Sequence, residues 1–248
     1  MPFTAAHPAA ILPLLRRSRW FSATGLITGS IAPDFQYFFL LPLFRHSGHT
    51  LEGLLYFNLP VAFVLAMVFH VIVRRPVVAH LPTWLQSRAL AVPRLSWISY
   101  MRERWLVFAT SVIIGASTHI FWDGFTHYGG YFVQQWPALT RTTTILGMEM
   151  MYCRILQHTS TLVGSLAILL YTWQLPAVAI PDGMGLRRKF WFWTGIGVAG
   201  FGFMVFALFA SAFMRSLMGI VVSFLSGAML ATLALSIALQ ISRYRQRA

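Results

Sequence analysis

Three side chains able to bind a metal recur at four-residue intervals in Thr118-His119-Ile120-Phe121-Trp122-Asp123-Gly124-Phe125-Thr126-His127. On an α-helix a four-residue step advances only about 40° past a full turn, so His119, Asp123 and His127 share one face. The stretch closes an apolar run, Trp105 to Ile120. A carboxylate and two imidazoles at the end of such a run are costly unless paired or bound to an ion. Taken alone, His119 and Asp123 read as a hydrogen-bonded pair and His127 as a surface residue. The rest of the chain weakens that reading. His7, Asp34, His49 and His158 also sit at the ends or breaks of apolar runs. Imidazole and carboxylate ligands suit Zn²⁺, and also Mn²⁺ or Fe²⁺. A bound ion makes a water nucleophile available near neutral pH, and two ions could hold both the attacking and the leaving oxygen of a phosphoester. Asp34 is the candidate to orient that water or act as base. Thr50, Thr118 and Thr126 are candidates to support the ligands, against an ordinary role in helix packing.

The elements that must carry these groups are membrane helices. Of 248 residues 57% are hydrophobic and only 10% charged, whereas a soluble domain carries about 25% charged residues. The mean hydropathy is +0.66. The net charge of +13 comes from arginines flanking apolar runs, as orientation signals do. No basic stripe is interleaved with exposed aromatics, so the charge is not a nucleic-acid footprint, and membrane lipids are the expected partners. With Cys153 alone, no intrachain disulfide is possible.

Taken in order, residues 1–20 hold a short helix starting near Pro8, with His7 just ahead of it. Residues 21–44 are apolar but interrupted at Ala32-Pro33-Asp34, so they either span the membrane or dip into it. Five clear spans follow: Leu51 to Val73, Trp105 to Trp122, Ile155 to Trp173, Phe190 to Phe213 and Leu217 to Ile241. The expected fold is all-α and polytopic, with five to six transmembrane helices. Residues 1–175 carry the motifs, and residues 176–248 add two helices to the same compact unit. Between Gly124 and Arg154 lies the longest loop, a candidate lid. Gly219, Ser223, Gly227 and Ala231 place a small residue at every fourth position of the last span, a helix-packing stripe.

Arginine and lysine concentrate in cytoplasmic loops. Residues 74–104, 187–189 and 243–247 are the basic clusters, and they alternate correctly across five spans with the C-terminus inside. His49, Asp123, His127 and His158 then all lie at the outer ends of their helices.

The residues Met1-Pro2-Phe3-Thr4, His7-Pro8-Ala9-Ala10, Ala32-Pro33-Asp34, His49-Thr50, Thr118-His119, Trp122-Asp123, Thr126-His127 and Gln157-His158 resemble an uncharacterised family of bacterial membrane proteins, catalogued only as a domain of unknown function. The resemblance implies a bacterial inner-membrane protein and no activity. More distantly, the order of His and Asp residues is similar to that of zinc-dependent phospholipase C and P1-type nucleases, and to inner-membrane proteins described as metal-dependent hydrolases. That resemblance implies a helical site in which Asp34, His49, His119 and Asp123 form one metal site, Asp123 bridges to a second that takes His7, and His127 and His158 hold a third. Those enzymes carry Glu four residues after the last His, where this chain has Leu162, so one or two ions are expected here. The implied function is a membrane-embedded, metal-dependent phosphoester hydrolase acting on a lipid headgroup at the membrane boundary. The alternatives are a non-catalytic, metal-stabilised membrane protein and a transport protein.

Overall fold

The computed structural model describes residues 4–17, 19–38, 48–145, 147–180, 183–209 and 215–246. The chain forms two compact units. The first comprises Met1–Gln36, Pro42–Ala66 and Met101–Gln174; the second comprises Tyr37–Leu41, Met67–Tyr100 and Leu175–Ala248. Five helices among the described residues are long and apolar enough to cross a membrane: α4 (Leu54–His80), α6 (Trp97–Thr126), α8 (Tyr152–Gln174), α9 (Leu186–Leu208) and α10 (Leu217–Arg245). Their outward faces stay apolar, as with Leu162, Leu166 and Leu170 on α8. Such faces suit lipid rather than water.

The first unit begins with a 3₁₀ helix, Thr4–Ile11, that contains Pro8. The helix expected near Pro8 is therefore a tighter coil, and α1 (Leu12–Leu15) begins only with Pro13 in its first turn, where a missing N–H does no harm. Next comes α2 (Ala23–Ile31), capped by Ser22, whose Oγ accepts from the Gly25 N–H at 3.0 Å. It gives way to a 3₁₀ turn, Ala32–Asp34, where Pro33 removes a backbone donor, and then to α3 (Phe35–Phe38). Both α2 and α3 are too short to span. The remainder of the interrupted segment, residues 39–44, lies outside the described residues.

Gly25 and Gly29 let α2 lie directly on α6. A Cβ on Gly29 would strike the Val112 carbonyl, and one on Gly115 would strike the Leu26 carbonyl. This is the small-residue route to close helix packing. It places the end of α2 beside the third and fourth turns before the end of α6. Arg104 kinks α6 with φ −132° and ψ 25°. Its guanidinium donates to the Arg19 carbonyl at 2.7 Å.

The long loop is more ordered than its composition suggests. It holds α7 (Tyr131–Gln135) and a hairpin of β1 (Thr142–Ile145) and β2 (Met148–Met151), antiparallel with Thr142 opposite Met151. The β-branched run Thr142 to Ile145 favours a strand. Gly147, at φ +80°, supplies the turn conformation that other residues rarely adopt.

In the second unit α9 meets α10 across small residues. A Cβ on Gly227 would press on Phe203 and the Gly200 backbone. Gly219, Ser223 and Gly227 of the expected stripe are buried there. The short α5 (Thr83–Ala91) is tied in by Lys189, whose Nζ donates to the Leu81 carbonyl and to Gln86 Oε1, both at 2.7 Å.

Candidate metal centre

Two residues of α6 form the base of the centre. His119 is fully buried and Asp123 nearly so. His119 Nδ1 donates to the Ser30 carbonyl at the end of α2, at 2.7 Å. A carbonyl can only accept, so Nδ1 carries a proton, and in the neutral ring Nε2 keeps its lone pair. That Nε2 faces Asp34 Oδ1 at 3.5 Å and Asp123 Oδ2 at 3.4 Å. Asp34 comes from the 3₁₀ turn after α2. It is fully buried, and its Oδ2 accepts from the Thr4 hydroxyl at 2.6 Å.

His49 arrives from the segment before α4. Gly48 lies so close to Pro33 that a Cβ would strike the Pro33 carbonyl. The Gly48 N–H donates to Gln36 Oε1 at 3.0 Å, and the Gly48 carbonyl accepts from Asn58 Nδ2 at 2.9 Å. Gln36 Nε2 lies 2.8 Å from His49 Nδ1. These contacts aim His49 Nε2 at Asp123 Oδ2, 3.3 Å away, and Asp34 Oδ1, 3.6 Å away.

His7 is carried in by the N-terminal 3₁₀ helix, which packs on α8 at Gly164. Its ring stacks on His119 with centroids 3.6 Å apart and 14° between planes. Its Nε2 lies 3.6 Å from Asp123 Oδ1. His127, one turn beyond Asp123, places Nδ1 3.5 Å from the same oxygen. Asp123 thus turns Oδ2 toward His49 and His119 and Oδ1 toward His7 and His127.

Asp34, His49, His119 and Asp123 each offer one ligand atom, all within 4.8 Å of one another. Three properties fit this quartet to a cation. The four contacts of 3.3–3.6 Å are long for charge-assisted hydrogen bonds. They match the edge of a tetrahedron whose corners lie 2.0–2.1 Å from its centre, roughly 3.3–3.4 Å. His7 Nε2, Asp34 Oδ1, His119 Nε2 and both Asp123 oxygens are buried without a hydrogen-bond partner among the described residues, an arrangement that wants an ion. Among those residues, only histidines approach the two carboxylates as ion-pair partners, so two buried negative charges have no lysine or arginine to balance them.

Two of the ionisable groups outside the long helices, His7 and Asp34, are biased toward ligation. Burial first, then the adjacent His119 ring, push the His7 imidazole down to about 3, so its ring is neutral. Burial pulls the Asp34 carboxyl upward, but the His119 ring and the Thr4 hydroxyl outweigh it and hold the group below its ordinary range. Neutral imidazoles and ionised carboxylates are the forms that bind metals.

Six of the seven residues singled out by sequence therefore meet. The structure does not bring His158 to them. It lies on the exposed side of α8 and lines a separate cavity with Glu149 and Arg154. The neighbouring Gln157 takes the buried position and accepts from Arg154 at 3.2 Å. Of the threonines, Thr126 Oγ1 reaches His127 Nδ1 at 3.2 Å. Thr118 donates to its own helix, to the Gly115 carbonyl, and Thr50 accepts from the Gly53 N–H. Sequence reasoning missed the groups that hold the ligands: Thr4, Ser30, Gln36 and Asn58. Thr4 lies in the N-terminal motif and Gln36 two residues past Asp34, but nothing in residue type marks a partner 30 or 13 positions away.

The chain belongs to the family described as domain of unknown function (DUF4184), whose model matches residues 1–237. No curated protein and no solved structure matches it. The likeness to zinc-dependent phospholipase C and P1-type nucleases therefore stays one of motif order.

Proposed function

We propose that this DUF4184 protein is a membrane-embedded, metal-dependent hydrolase of a phosphoester, with a lipid headgroup as substrate. The observation that carries the reading is the convergence of unpartnered buried lone pairs from Asp34, His119 and Asp123, joined by His49. These four residues would hold one ion, of which zinc suits the donor set best and Mn²⁺ or Fe²⁺ also fit. Asp123 Oδ1, with His7 and His127 beside it, offers a place for a second. When bound, such an ion polarises a phosphoryl oxygen and acidifies water.

The chain's own groups divide the remaining work. Asp34 is our candidate to orient the attacking water, from the Oδ1 that faces the cluster, while Thr4 fixes its other oxygen. The side chains of His49 and His127 are 25% and 31% exposed, against 0–7% for His7, Asp34, His119 and Asp123. Substrate therefore enters past His49 and His127. By the distribution of arginines this opening faces the outer side of a bacterial inner membrane, with the C-terminus in the cytoplasm. There a headgroup reaches the site without leaving the bilayer.

One observation favours a second reading. Four protein ligands complete a tetrahedral shell, which is the mark of a structural site. In that case the ion ties α2, α6 and the His49 segment together and turns nothing over.

The deciding experiment is elemental analysis of the detergent-purified chain beside a His119→Ala, Asp123→Ala variant, followed by a phosphoester and phospholipid screen. Stoichiometric metal with turnover that the variant loses supports the hydrolase. Metal without turnover on any phosphoester supports the structural ion. Absence of bound metal, even after metal is added back, ends both readings.

A further inference from the structure

The second unit holds a cavity of about 580 Å³ with a different chemistry. Four arginines from three separate elements line it: Arg74 and Arg75 from α4, Arg94 from the segment between α5 and α6, and Arg243 from the end of α10. Among the described residues that line it, none is acidic. The wider unit offers little relief. It contains ten arginines and one lysine against a single acid, Asp182. Guanidiniums cannot shed their charge at any ordinary pH. Arg74 and Arg243 are half-buried and Arg75 and Arg94 exposed, so the hollow is a positively charged opening that an entering anion would find favourable.

The walls are built, not merely charged. Arg74 donates to the Val92 carbonyl at 2.6 Å, which fixes its guanidinium beside the segment that carries Arg94. The last turns of α4 widen into a π-helix at Phe69–Val73. Gln240 of α10 donates to two of its carbonyls, those of Val71 and Ile72, at 3.2 and 2.7 Å. That contact sets Arg243, one turn further along α10, facing the same hollow. Val78, Leu90 and Leu95 add apolar wall beside the charges. The volume falls within the range of ligand pockets, about 300–1,000 Å³.

We propose that this cavity is a binding site for a phosphate-bearing anion, held by Arg94 and Arg243 with Arg74 and Arg75 behind them. Planar guanidiniums match phosphate oxygens in paired hydrogen bonds. Two sources supply that chemistry: the headgroup of an anionic phospholipid, whose chains the apolar wall accommodates, and a water-soluble phosphate compound. The site draws on none of the metal-centre residues and does not depend on the hydrolase reading.

The test uses the full chain in two arms. In the first, native mass spectrometry measures retention of phosphatidylglycerol over phosphatidylcholine from mixed nanodiscs. In the second, the melting temperature is followed as inorganic phosphate is added. Both are run on wild type, on Arg94→Gln with Arg243→Gln, and on Arg187→Gln with Arg188→Gln, which removes the same charge outside the cavity. Loss of two lipid-facing arginines should weaken retention by roughly thirtyfold, from about 1 kcal/mol for each, in the cavity variant alone. That result assigns a lipid headgroup. Stabilisation by phosphate that only the cavity variant loses, with no lipid preference, assigns a soluble phosphate compound. Equal losses in the two double variants, or no preference in wild type in either arm, overturn the proposal. Should the glutamine variant not fold, Arg94→Lys with Arg243→Lys replaces it. Charge is then kept and paired donation lost, so retention still falls several-fold if the site is real and is unchanged if it is not.

Discussion

The Ser30 carbonyl accepts the Nδ1 proton of His119, 89 positions away, at 2.7 Å. This one contact joins the packing of α2 on α6 to the chemistry of the centre. It sets the tautomer of a buried imidazole and points Nε2 at Asp34 and Asp123. Any change that moves α2 along α6 must therefore move the ligand set.

Gly29→Ala tests that link. The added methyl would meet the Val112 carbonyl and the backbone atoms beside it, none of which is a flexible side-chain end. Overpacking typically costs about 1–3 kcal/mol and more where backbone must shift. We expect a lower melting temperature and a matching loss of bound metal. Gly197→Ala is the control, because nothing lies within 4 Å of its added methyl and α9 should gain about 0.5–1 kcal/mol from it. If Gly29→Ala melts with the wild type, the close-packing account is wrong.

Thr4→Val removes the 2.6 Å hydrogen bond to Asp34 Oδ2 while keeping the shape of the side chain. Groups that hold a metal ligand in place typically account for 10–100-fold in affinity. A chelator competition should show the bound ion released at a correspondingly lower chelator concentration. An unchanged titration would remove Thr4 from the centre.

Gln36→Glu should act in opposite directions on the two states. With Gln36 Oε1 taken by the Gly48 N–H, its Nε2 donates to His49 Nδ1, which leaves the ring proton on the Nε2 that faces the carboxylates. Binding an ion through Nε2 requires the proton on Nδ1 instead, and a glutamate accepts it there while still accepting from Gly48. The metal-free variant should melt lower, because a third carboxylate is buried. The metal-loaded variant should bind more tightly, because a carboxylate behind a ligating histidine raises its basicity. Weaker metal binding in the variant would show that His49 does not ligate through Nε2.

Acid should destabilise the metal-free chain, with the sign set by His7. Its imidazole titrates at about 3 in the folded state against 6.5 when unfolded. Between those values the unfolded chain holds more protons, so stability rises with pH across the window and is lost as pH falls through it. Asp34, also held below its ordinary value, adds a loss in the same direction at lower pH. Melting temperatures of chelator-treated protein should fall from about pH 6.5 downward, and His7→Phe should flatten the upper part of the slope. A wild-type profile that stays flat there would contradict the burial of a neutral His7.

Much of this protein is legible from residue order. Low charge and long apolar runs dictate helices able to cross a membrane, because an unpaired backbone has no partner in lipid. Helical periodicity alone sets His119, Asp123 and His127 on one face. Residue type marked six of the groups that gather at the centre, and the small-residue stripe of α10 announced its own contact.

What only the tertiary structure decided is which elements meet. His7, Asp34 and His49 reach α6 through Gly29, Gly48 and Gly164, whose missing side chains matter only because another backbone runs beside them. Residue type cannot foretell that neighbour. The same limit separates Gln157 from His158. Adjacent helix positions point about 100° apart, and the packing of the N-terminal 3₁₀ helix against α8 decides which of them turns inward. Thr4 and Gln36 became visible as supports of the centre only once the fold had brought Asp34 and His49 within hydrogen-bond reach.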